Sequence, residues 1–231
     1  MIDLTIVWAL IIAFAVAMYV VMDGFDLGIG ILFPAFPVGG GRNRAMNAIA
    51  PVWDGNETWL VLGGGGLMAA FPLAYAIVLP ALYAPLIAML LGLVFRGVAF
   101  EFRWSDPGHR RWWDAGFCLG SVVATFAQGV TLGALLQGIT VAGRSYGGGW
   151  WEWLSPFSLL TGLSLLIAYA LLGATWLIWR PKAIRTIAHA GTPSGCSRRS
   201  CSPSARSAWR RLSLRACPNI ISAGSNGRAS C

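Results

Sequence analysis

The chain has 231 residues, of which 56% are hydrophobic and only 11% are charged. Soluble domains carry about 25% charged residues, so this composition excludes an ordinary soluble fold and favours an integral membrane protein. The net charge of +8 gives no support to nucleic-acid binding, because residues 1–180 hold eight arginines against nine acids and the whole basic excess lies in residues 181–231.

Five apolar segments are long enough to cross a bilayer, which takes about 20 apolar residues in a helix. They predict an all-α fold, a multipass transmembrane helix bundle. The run from Thr58 to Phe95 has no charged residue and is too long for one span, so it is expected to fold back as a hairpin. The predicted spans cover about 4–32, 44–70, 73–100, 113–138 and 156–179.

Positive charge is concentrated after the first, third and fifth predicted spans, and this pattern predicts the orientation of the chain. Cytoplasmic loops of membrane proteins are enriched in Lys and Arg. Those three segments are therefore expected inside, and the N-terminus outside. The residues that carry this prediction are Arg42, Arg44, Arg96, Arg103, Arg110, Arg111, Arg180, Lys182 and Arg185.

Residues 181–231 form a different kind of sequence, with nine basic residues and no acid. The stretch is rich in Arg, Ser, Ala and Cys and has no apolar period, so we expect a disordered basic tail. One interpretation is a polybasic segment that docks on anionic membrane lipid. We favour the other, in which the chain is truncated or frame-shifted after about residue 180.

Four carboxyl groups fall within the first two predicted spans, where charge is costly. Asp23 and Asp26 are three residues apart, as are Asp54 and Glu57, so each pair shares one side of a helix. In a continuous second helix, Asp54 lies about 15 Å from the start of the span, roughly at mid-membrane. Such acids suit a proton relay. The structural alternative is that they pair with Arg96 or with a partner subunit.

The end of the third span holds Arg96 and Glu101, which are five residues apart and therefore poor partners on one helix. Arg96 is expected either to face an acid on another helix or to extend to the inner surface. The four glycines at 63–66 are expected to let a neighbouring helix approach closely. Pro51 could kink the helix just before the acid motif.

Metal ligands are scarce in the predicted spans. His109 lies in a charged loop and His189 in the tail, so a haem bound through imidazole has no ligand in the membrane segments. The cysteines form no C-x-x-C pair. We therefore predict no metal site in this chain.

Several stretches together resemble subunit II of cytochrome bd-type quinol oxidases. The resemblance is carried by MDGFDLGIGIL, by RNRAMNAIAPVWDGNETWLVLGGGGLMAAFPLAYA, and by FRGVAFEFR, with LLQG and PFSLLTGLSLL further on. The form WDGNETW is similar to the cyanide-insensitive branch. The resemblance covers about residues 1–180 and is most specific in 20–105.

That resemblance implies an enzyme complex of an aerobic respiratory chain in the bacterial inner membrane. Such a complex oxidises quinol, reduces oxygen to water and draws protons from the cytoplasm. Haem b, haem d and the quinol site belong to subunit I, the partner in a heterodimer. No catalytic residue is therefore expected in this chain.

The resemblance also implies roles for single residues. The acids of DGFD and WDGN line or neighbour a proton route between the subunits, and Glu57 is grouped with them by its spacing from Asp54. The arginine after the third span maintains the haem site of the partner, and three further residues are assigned to the same support. The proton-route residues are Asp54, Asp23, Asp26 and Glu57, and the support residues are Arg96, Glu101, Trp53 and Asn56.

The sequence departs from the family pattern in length, because subunit II has about nine spans and this chain shows about five before the tail. Two alternatives to an oxidase subunit stay open. A multipass proton-coupled transporter also uses acids at mid-membrane and broken helices. The other alternative is a non-functional truncated fragment.

Overall fold

Seven α-helices and one short β-hairpin make up the structure, a computed structural model that describes residues 3–179. The predicted disordered tail at 181–231 lies outside the described residues. The helices are α1 (Leu4–Leu32), α2 (Gly40–Ile49), α3 (Trp53–Ala70), α4 (Pro72–Ala81), α5 (Tyr83–Ser105), α6 (Arg110–Gln137) and α7 (Pro156–Trp179), and the strands are β1 (Val141–Ala142) and β2 (Ser145–Tyr146).

Four helical segments are long and apolar enough to cross a membrane, judged by length and composition. They correspond to α1, α5, α6 and α7, two of them extended by a single 3₁₀ turn. This confirms the predicted all-α, multipass transmembrane bundle. The segments are Leu4–Ala35, Tyr83–Ser105, Pro107–Gln137 and Pro156–Trp179.

The second predicted span is interrupted, so the premise of a continuous helix from residue 44 to residue 70 is incorrect. Helix α2 ends at Ile49 and α3 begins at Trp53, with a turn between them. Proline has no backbone N–H and disfavours helical geometry in the residue before it, so Pro51 explains the break. Asp54 therefore lies in the first turn of a new helix, and its depth cannot be counted from residue 44.

The third predicted span is also divided. Helix α4 ends at Ala81, and α5 starts at Tyr83 after a break at Leu82. The run from Thr58 to Phe95 thus folds back through α4, as expected of a segment too long for one crossing. Helix α4 packs towards β2, whereas α5 packs along α6.

Helices α5 and α6 are in close contact because glycines face each other. A Cβ atom on Gly92 would lie 2.8 Å from the carbonyl oxygen of Gly120, and a Cβ on Gly120 would lie 2.6 Å from that of Gly92. Real Cβ contacts are longer, so only glycine permits this approach. Gly116 meets Ala99 further along the same pair, so the two helices are antiparallel.

Helix α1 lies between α3 and α7 and joins the two sides of the bundle. On the α3 side, Gly63 meets Val16 and Gly66 meets Ile12. The close packing predicted for the four glycines is therefore found at two of them. A methyl group on Gly64 would meet no described atom within 4 Å.

The two ends of the bundle differ in chemistry. One end, here called the hairpin end, carries β1 and β2, where the Tyr146 hydroxyl donates to Glu152 at 3.1 Å. The other end carries the turn between α5 and α6, where His109 Nδ1 donates to the Asp106 carboxylate at 2.8 Å. That hydrogen bond is the main reason why the pKa of Asp106 is lowered.

Candidate functional site

Two carboxyl groups, one from α1 and one from α3, lie against one arginine of α5, and a third lies one helical turn further along α1. Arg96 Nη1 donates to Glu57 Oε1 at 3.0 Å and lies 3.7 Å from Asp23 Oδ1. Asp26 follows Asp23 by one helical turn and is equally buried. We call Asp23, Asp26, Glu57 and Arg96 the acid cluster. The cluster contains three carboxyl groups and a single guanidinium, so it carries more acid than base.

Burial makes that imbalance important. Asp23 and Asp26 are 0% exposed and Arg96 is 1% exposed, whereas the Glu57 side chain is 28% exposed. Burying unpaired charge costs several kcal/mol. Of the two expectations for Arg96, the structure therefore has it facing acids on other helices rather than extending to the surface.

Asn56 joins the acid cluster to the backbone of α1. Its Nδ2 donates to Asp26 Oδ2 at 2.6 Å and to the Met22 carbonyl at 3.1 Å. Asn56 is 3% exposed. The side chain thus fixes the start of α3 against α1 and holds one oxygen of Asp26 in place.

Trp53 fixes the start of α3 against α5 in a similar way. The centroid of its ring lies 5.1 Å from that of Phe100. A Cβ atom on Gly97 would lie 3.7 Å from the Trp53 ring. Trp53 and Asn56 are therefore positioned to hold Glu57 near Arg96. Neither side chain contributes a charge.

The other two sequence-predicted residues lie at the surface. Asp54 and Glu101 are both exposed, although Asp54 is electrostatically coupled to Glu57. The i,i+3 spacing suggested that Asp54 and Glu57 share one face. Positions three apart differ by about 60° around the helix, and the structure turns Glu57 inward while Asp54 stays outward.

A second ionic group, which the sequence analysis did not identify, lies near the turn between α5 and α6. Asp114 Oδ2 accepts from Arg42 at 2.8 Å, and Asp114 Oδ1 accepts from Arg103 Nε at 2.5 Å. Arg103 also donates to Asn43 Oδ1 at 2.8 Å. We call these four residues the arginine cluster. One sequence signal could have indicated the arginine cluster. Asp114 is a single acid near the start of an apolar helix, and the neighbouring loops are basic.

A cleft opens between the helices close to Tyr19, one turn before Asp23 on α1. Its volume is about 190 Å³. The walls are mostly aliphatic, and polar groups come from Tyr19, Gln128 and Thr131. Five helices contribute to it, namely α1, α3, α5, α6 and α7.

The described residues do not fit a haem held by imidazole. His109 is the one histidine between residues 3 and 179, and its side chain is 69% exposed and bonded to Asp106. Within the same residues, no group of three His, Cys, Asp or Glu side chains could hold a metal ion.

Comparison with known proteins identifies the family. The family of cytochrome bd terminal oxidase subunit II matches residues 4–191. Cytochrome bd-I ubiquinol oxidase subunit 2 of Escherichia coli is 38% identical over 186 residues, 77% of this chain and 49% of the relative. Cytochrome bd ubiquinol oxidase subunit 2 of Bacillus subtilis is 33% identical over 165 residues, 69% of this chain and 48% of the relative.

The four apolar helical segments and the family match together define a multipass membrane protein. The chain belongs to the cytochrome bd terminal oxidase subunit II family, which confirms the resemblance seen in its motifs. It spans about half the length of the curated relatives that it matches.

Proposed function

We propose that this chain is the non-haem subunit II of a bd-type quinol:oxygen oxidoreductase in a bacterial inner membrane. In this proposal it forms a heterodimer with subunit I, which holds haem b, haem d and the quinol site. The chain supports that partner and lines a route by which protons enter from the cytoplasm. The family membership supports the complex, and the acid cluster supports the proton route.

The single observation that carries the proton route is the excess of carboxyl groups around Arg96. Asp23, Asp26 and Glu57 cannot all be balanced by one guanidinium, and excess negative charge inside a bundle is unfavourable. Binding a proton relieves that excess, and releasing the proton restores it. Glu57 is partly exposed while Asp23 and Asp26 are buried, so the three form an inward path from the surface.

The exposed position of Asp54 supports a partner on this face. A carboxylate that faces lipid from a membrane helix is costly, and a polar or hydrated surface on another subunit would relieve the cost. Asp54 lies one turn before Glu57 on α3 and couples to it electrostatically. In the proposal, Asp54 receives the proton first and Glu57 passes it towards Asp23 and Asp26.

Arg96, Trp53 and Asn56 support the partner indirectly in this proposal. Arg96 holds the acids, while Trp53 and Asn56 hold α3 against α5 and α1. They keep the face that carries Asp54 in one position. Glu101 is exposed on α5 and is assigned to the contact with subunit I.

The proposed orientation places the arginine cluster inside and the hairpin end outside. Arg42, Arg103 and Asp114 meet at one end of the bundle, in accord with positive charge on the cytoplasmic side. Val38→Cys and Gly149→Cys, each in a chain whose own cysteines are replaced by serine, test this. An impermeant maleimide added outside should label position 149 and spare position 38; the reverse pattern contradicts the orientation.

The proton route is tested in the complex. The full chain is produced together with the haem-bearing subunit, and the purified complex is reconstituted into lipid vesicles. A pulse of oxygen then starts turnover, and a pH-sensitive dye follows proton uptake. Asp23→Asn and Glu57→Gln should each slow uptake by at least about tenfold, because a proton-carrying group is lost. Haem content should stay unchanged.

The matched control is Glu152→Gln, an acid at the hairpin end that bonds to Tyr146. It should leave proton uptake unaltered. Uptake at the full rate in Asp23→Asn, with normal haem content, would rule out the proton route. If no haem-bearing subunit co-purifies with the chain, the subunit assignment is contradicted. If the chain takes up a solute in a way that depends on Asp54 and consumes no oxygen, a transporter is favoured.

A further inference from the structure

We infer that the segment connecting α6 to α7 is a membrane anchor, which binds the headgroup region of the bilayer through Trp150 and Trp151. The partner is the lipid surface itself, at the level of its phosphate and ester groups. The inference goes beyond the proposed function, because it requires only that α6 and α7 cross a membrane. It applies whichever side of the membrane the hairpin end faces.

The two tryptophans form an exposed aromatic surface. Trp150 and Trp151 are each 65% exposed, although tryptophan is highly buried on average in proteins. Exposed apolar surface of this kind marks a contact with a protein or a membrane. The third tryptophan of the segment, Trp153, instead packs against the buried cluster that contains Leu82 and Ala134. The segment thus has one indole that serves packing and two that face outward.

A tyrosine from a distant part of the chain extends this surface. The ring centroid of Trp150 lies 6.2 Å from that of Tyr83, which begins α5 and is 54% exposed. Tyrosine and tryptophan are enriched where a membrane meets water, because their rings are apolar while their O–H and N–H groups form hydrogen bonds. Two segments that are far apart in sequence therefore contribute to one surface of interfacial type.

The position of this surface matches the edge of the apolar bundle. Helix α6 ends at Gln137 and α7 begins at Pro156. Large apolar side chains stay exposed close to both helix ends, where Leu136 is 67% exposed and Phe157 is 43% exposed. Such side chains suit contact with hydrocarbon, and the headgroup region lies directly beyond the hydrocarbon core. The segment between these ends therefore lies at the depth of the headgroups.

The backbone beneath the two exposed indoles is held in place. Trp153 Nε1 donates to the Trp150 carbonyl at 3.0 Å, and the ring centroids of Trp151 and Trp153 are 6.0 Å apart. The Ser155 amide donates to Ser158 Oγ on α7 at 3.0 Å. A surface that is already ordered loses less conformational freedom when it binds, so the segment is suited to act as an anchor.

The low charge of the segment indicates how it recognises lipid. Arg144 and Glu152 are the charged residues between positions 138 and 155, and their charges cancel. Recognition of anionic lipid by charge uses clusters of Lys and Arg. The exposed indoles are therefore the groups that bind, and we expect no preference for anionic over zwitterionic lipid.

Site-specific photo-crosslinking identifies what covers this surface. The full chain, with p-benzoylphenylalanine in place of Trp151, is produced together with the haem-bearing subunit and reconstituted into phosphatidylcholine vesicles; if no such subunit co-purifies, the full chain alone is used. After irradiation, mass spectrometry should find a phosphatidylcholine adduct at position 151 as the main product. A main crosslink to another protein or to a second copy of this chain would overturn the inference, and so would the absence of any adduct.

Photoreactive lipids test the depth in the unsubstituted protein. One lipid carries a diazirine beside its headgroup, and a second carries it at the end of an acyl chain. The first should label Trp150 and Trp151 at least about fivefold more than the second, because interfacial rings lie at the headgroup level. The matched control is Ile167, which is also 65% exposed but lies at the middle of α7, and it should show the reverse ratio. Equal labelling of the tryptophans by both lipids, or by neither, would overturn the inference.

Substitutions separate the indoles from the charges. Trp150→Gln combined with Trp151→Gln should lower labelling of the segment by the headgroup lipid by more than half. Val141→Gln is the matched control, because Val141 is 52% exposed at the same end and has no aromatic ring; it should leave the labelling unaltered. If Arg144→Gln lowers the labelling and added phosphatidylglycerol raises it severalfold, charge governs the contact and the inference is wrong. None of these outcomes depends on proton uptake, so the anchor and the proposed function are tested separately.

Discussion

The acid cluster and the arginine cluster both combine carboxyl and guanidinium groups, but in opposite proportion. The acid cluster has three carboxyl groups and one guanidinium, whereas the arginine cluster has one carboxyl group and two guanidinium groups. In the arginine cluster, Asp114 accepts hydrogen bonds through both oxygens, and Arg103 finds a further acceptor in Asn43. In the acid cluster, three carboxyl groups accompany one guanidinium, and only Asp23 and Glu57 lie within ion-pair distance of Arg96 among the described residues.

The difference separates a structural role from a chemical one. Guanidinium groups stay charged in proteins, and the arginine cluster places two of them on one carboxyl group, so it is suited to holding helices together. Carboxyl groups gain and lose protons within the biological range when their surroundings favour it. The acid cluster is therefore the one to which we assign proton transfer in the proposed function.

The largest effect is expected from Asp114→Asn, which leaves Arg42 and Arg103 without their shared carboxylate. Removing one partner of a buried ion pair costs about 3–5 kcal/mol, and Arg103 is 1% exposed. The free energy of unfolding in detergent should fall by that amount. An unchanged free energy of unfolding would contradict the structural role.

The next effect is that of Arg96→Leu, which leaves the acids of its cluster without a cation. We expect a loss of about 2–3 kcal/mol in unfolding free energy at pH 8. Acidification protonates the carboxyl groups and removes the excess negative charge, so the difference from the unsubstituted chain should shrink towards pH 5. Unfolding curves at several pH values measure this. A pH-independent difference would contradict protonation of the carboxyl groups in the acid cluster.

A smaller effect is expected from Gly92→Ala, because α5 carries Arg96 and Arg103 and is placed by its contact with α6. The new methyl group would lie 2.8 Å from the Gly120 oxygen and 2.9 Å from the Ala124 nitrogen. Overpacking of this kind costs about 1–3 kcal/mol.

The matched control is Gly64→Ala, where no described atom lies within 4 Å. In a helix, that change should be neutral or stabilising by up to about 1 kcal/mol. Thermal unfolding of both variants gives the comparison, and equal effects would show that the α5–α6 contact is not tight.

The smallest effect is expected from Asp106→Asn in the exposed turn beyond both clusters. The hydrogen bond from His109 lowers the pKa of Asp106, so the stabilisation is present at neutral pH and is lost as pH falls through the folded-state pKa. Asp106→Asn should lower the melting temperature slightly at pH 7 and not at all once the carboxyl is protonated. A larger shift at acid pH would have the wrong sign.

Much of this molecule could be predicted from sequence, because composition and local motifs carry it. Low charge and long apolar runs gave the membrane class, and the motifs around Asp23, Asp54 and Arg96 gave the family. Those features depend on residues close together in the chain. The pairing of Arg96 with acids was foreseen only as one of two alternatives.

What could not be predicted depends on distances between helices. Glu57 and Arg96 are 39 positions apart, and no local pattern says that they meet while Asp54 turns outward. The break at Pro51 was expected only as a kink, since a membrane helix can also continue through proline. The place of Asp114 was missed because its partner Arg42 lies 72 positions earlier.

That long separation has a consequence for biosynthesis. Arg42 leaves the ribosome well before Asp114 exists, so the insertion machinery meets it as a cation without its carboxylate partner. In the proposed orientation, that cation retains its loop on the cytoplasmic face, and the ion pair with Asp114 forms only after α6 has been inserted. In that orientation one side chain acts twice, first as a topogenic signal and afterwards as a tie between the assembled helices.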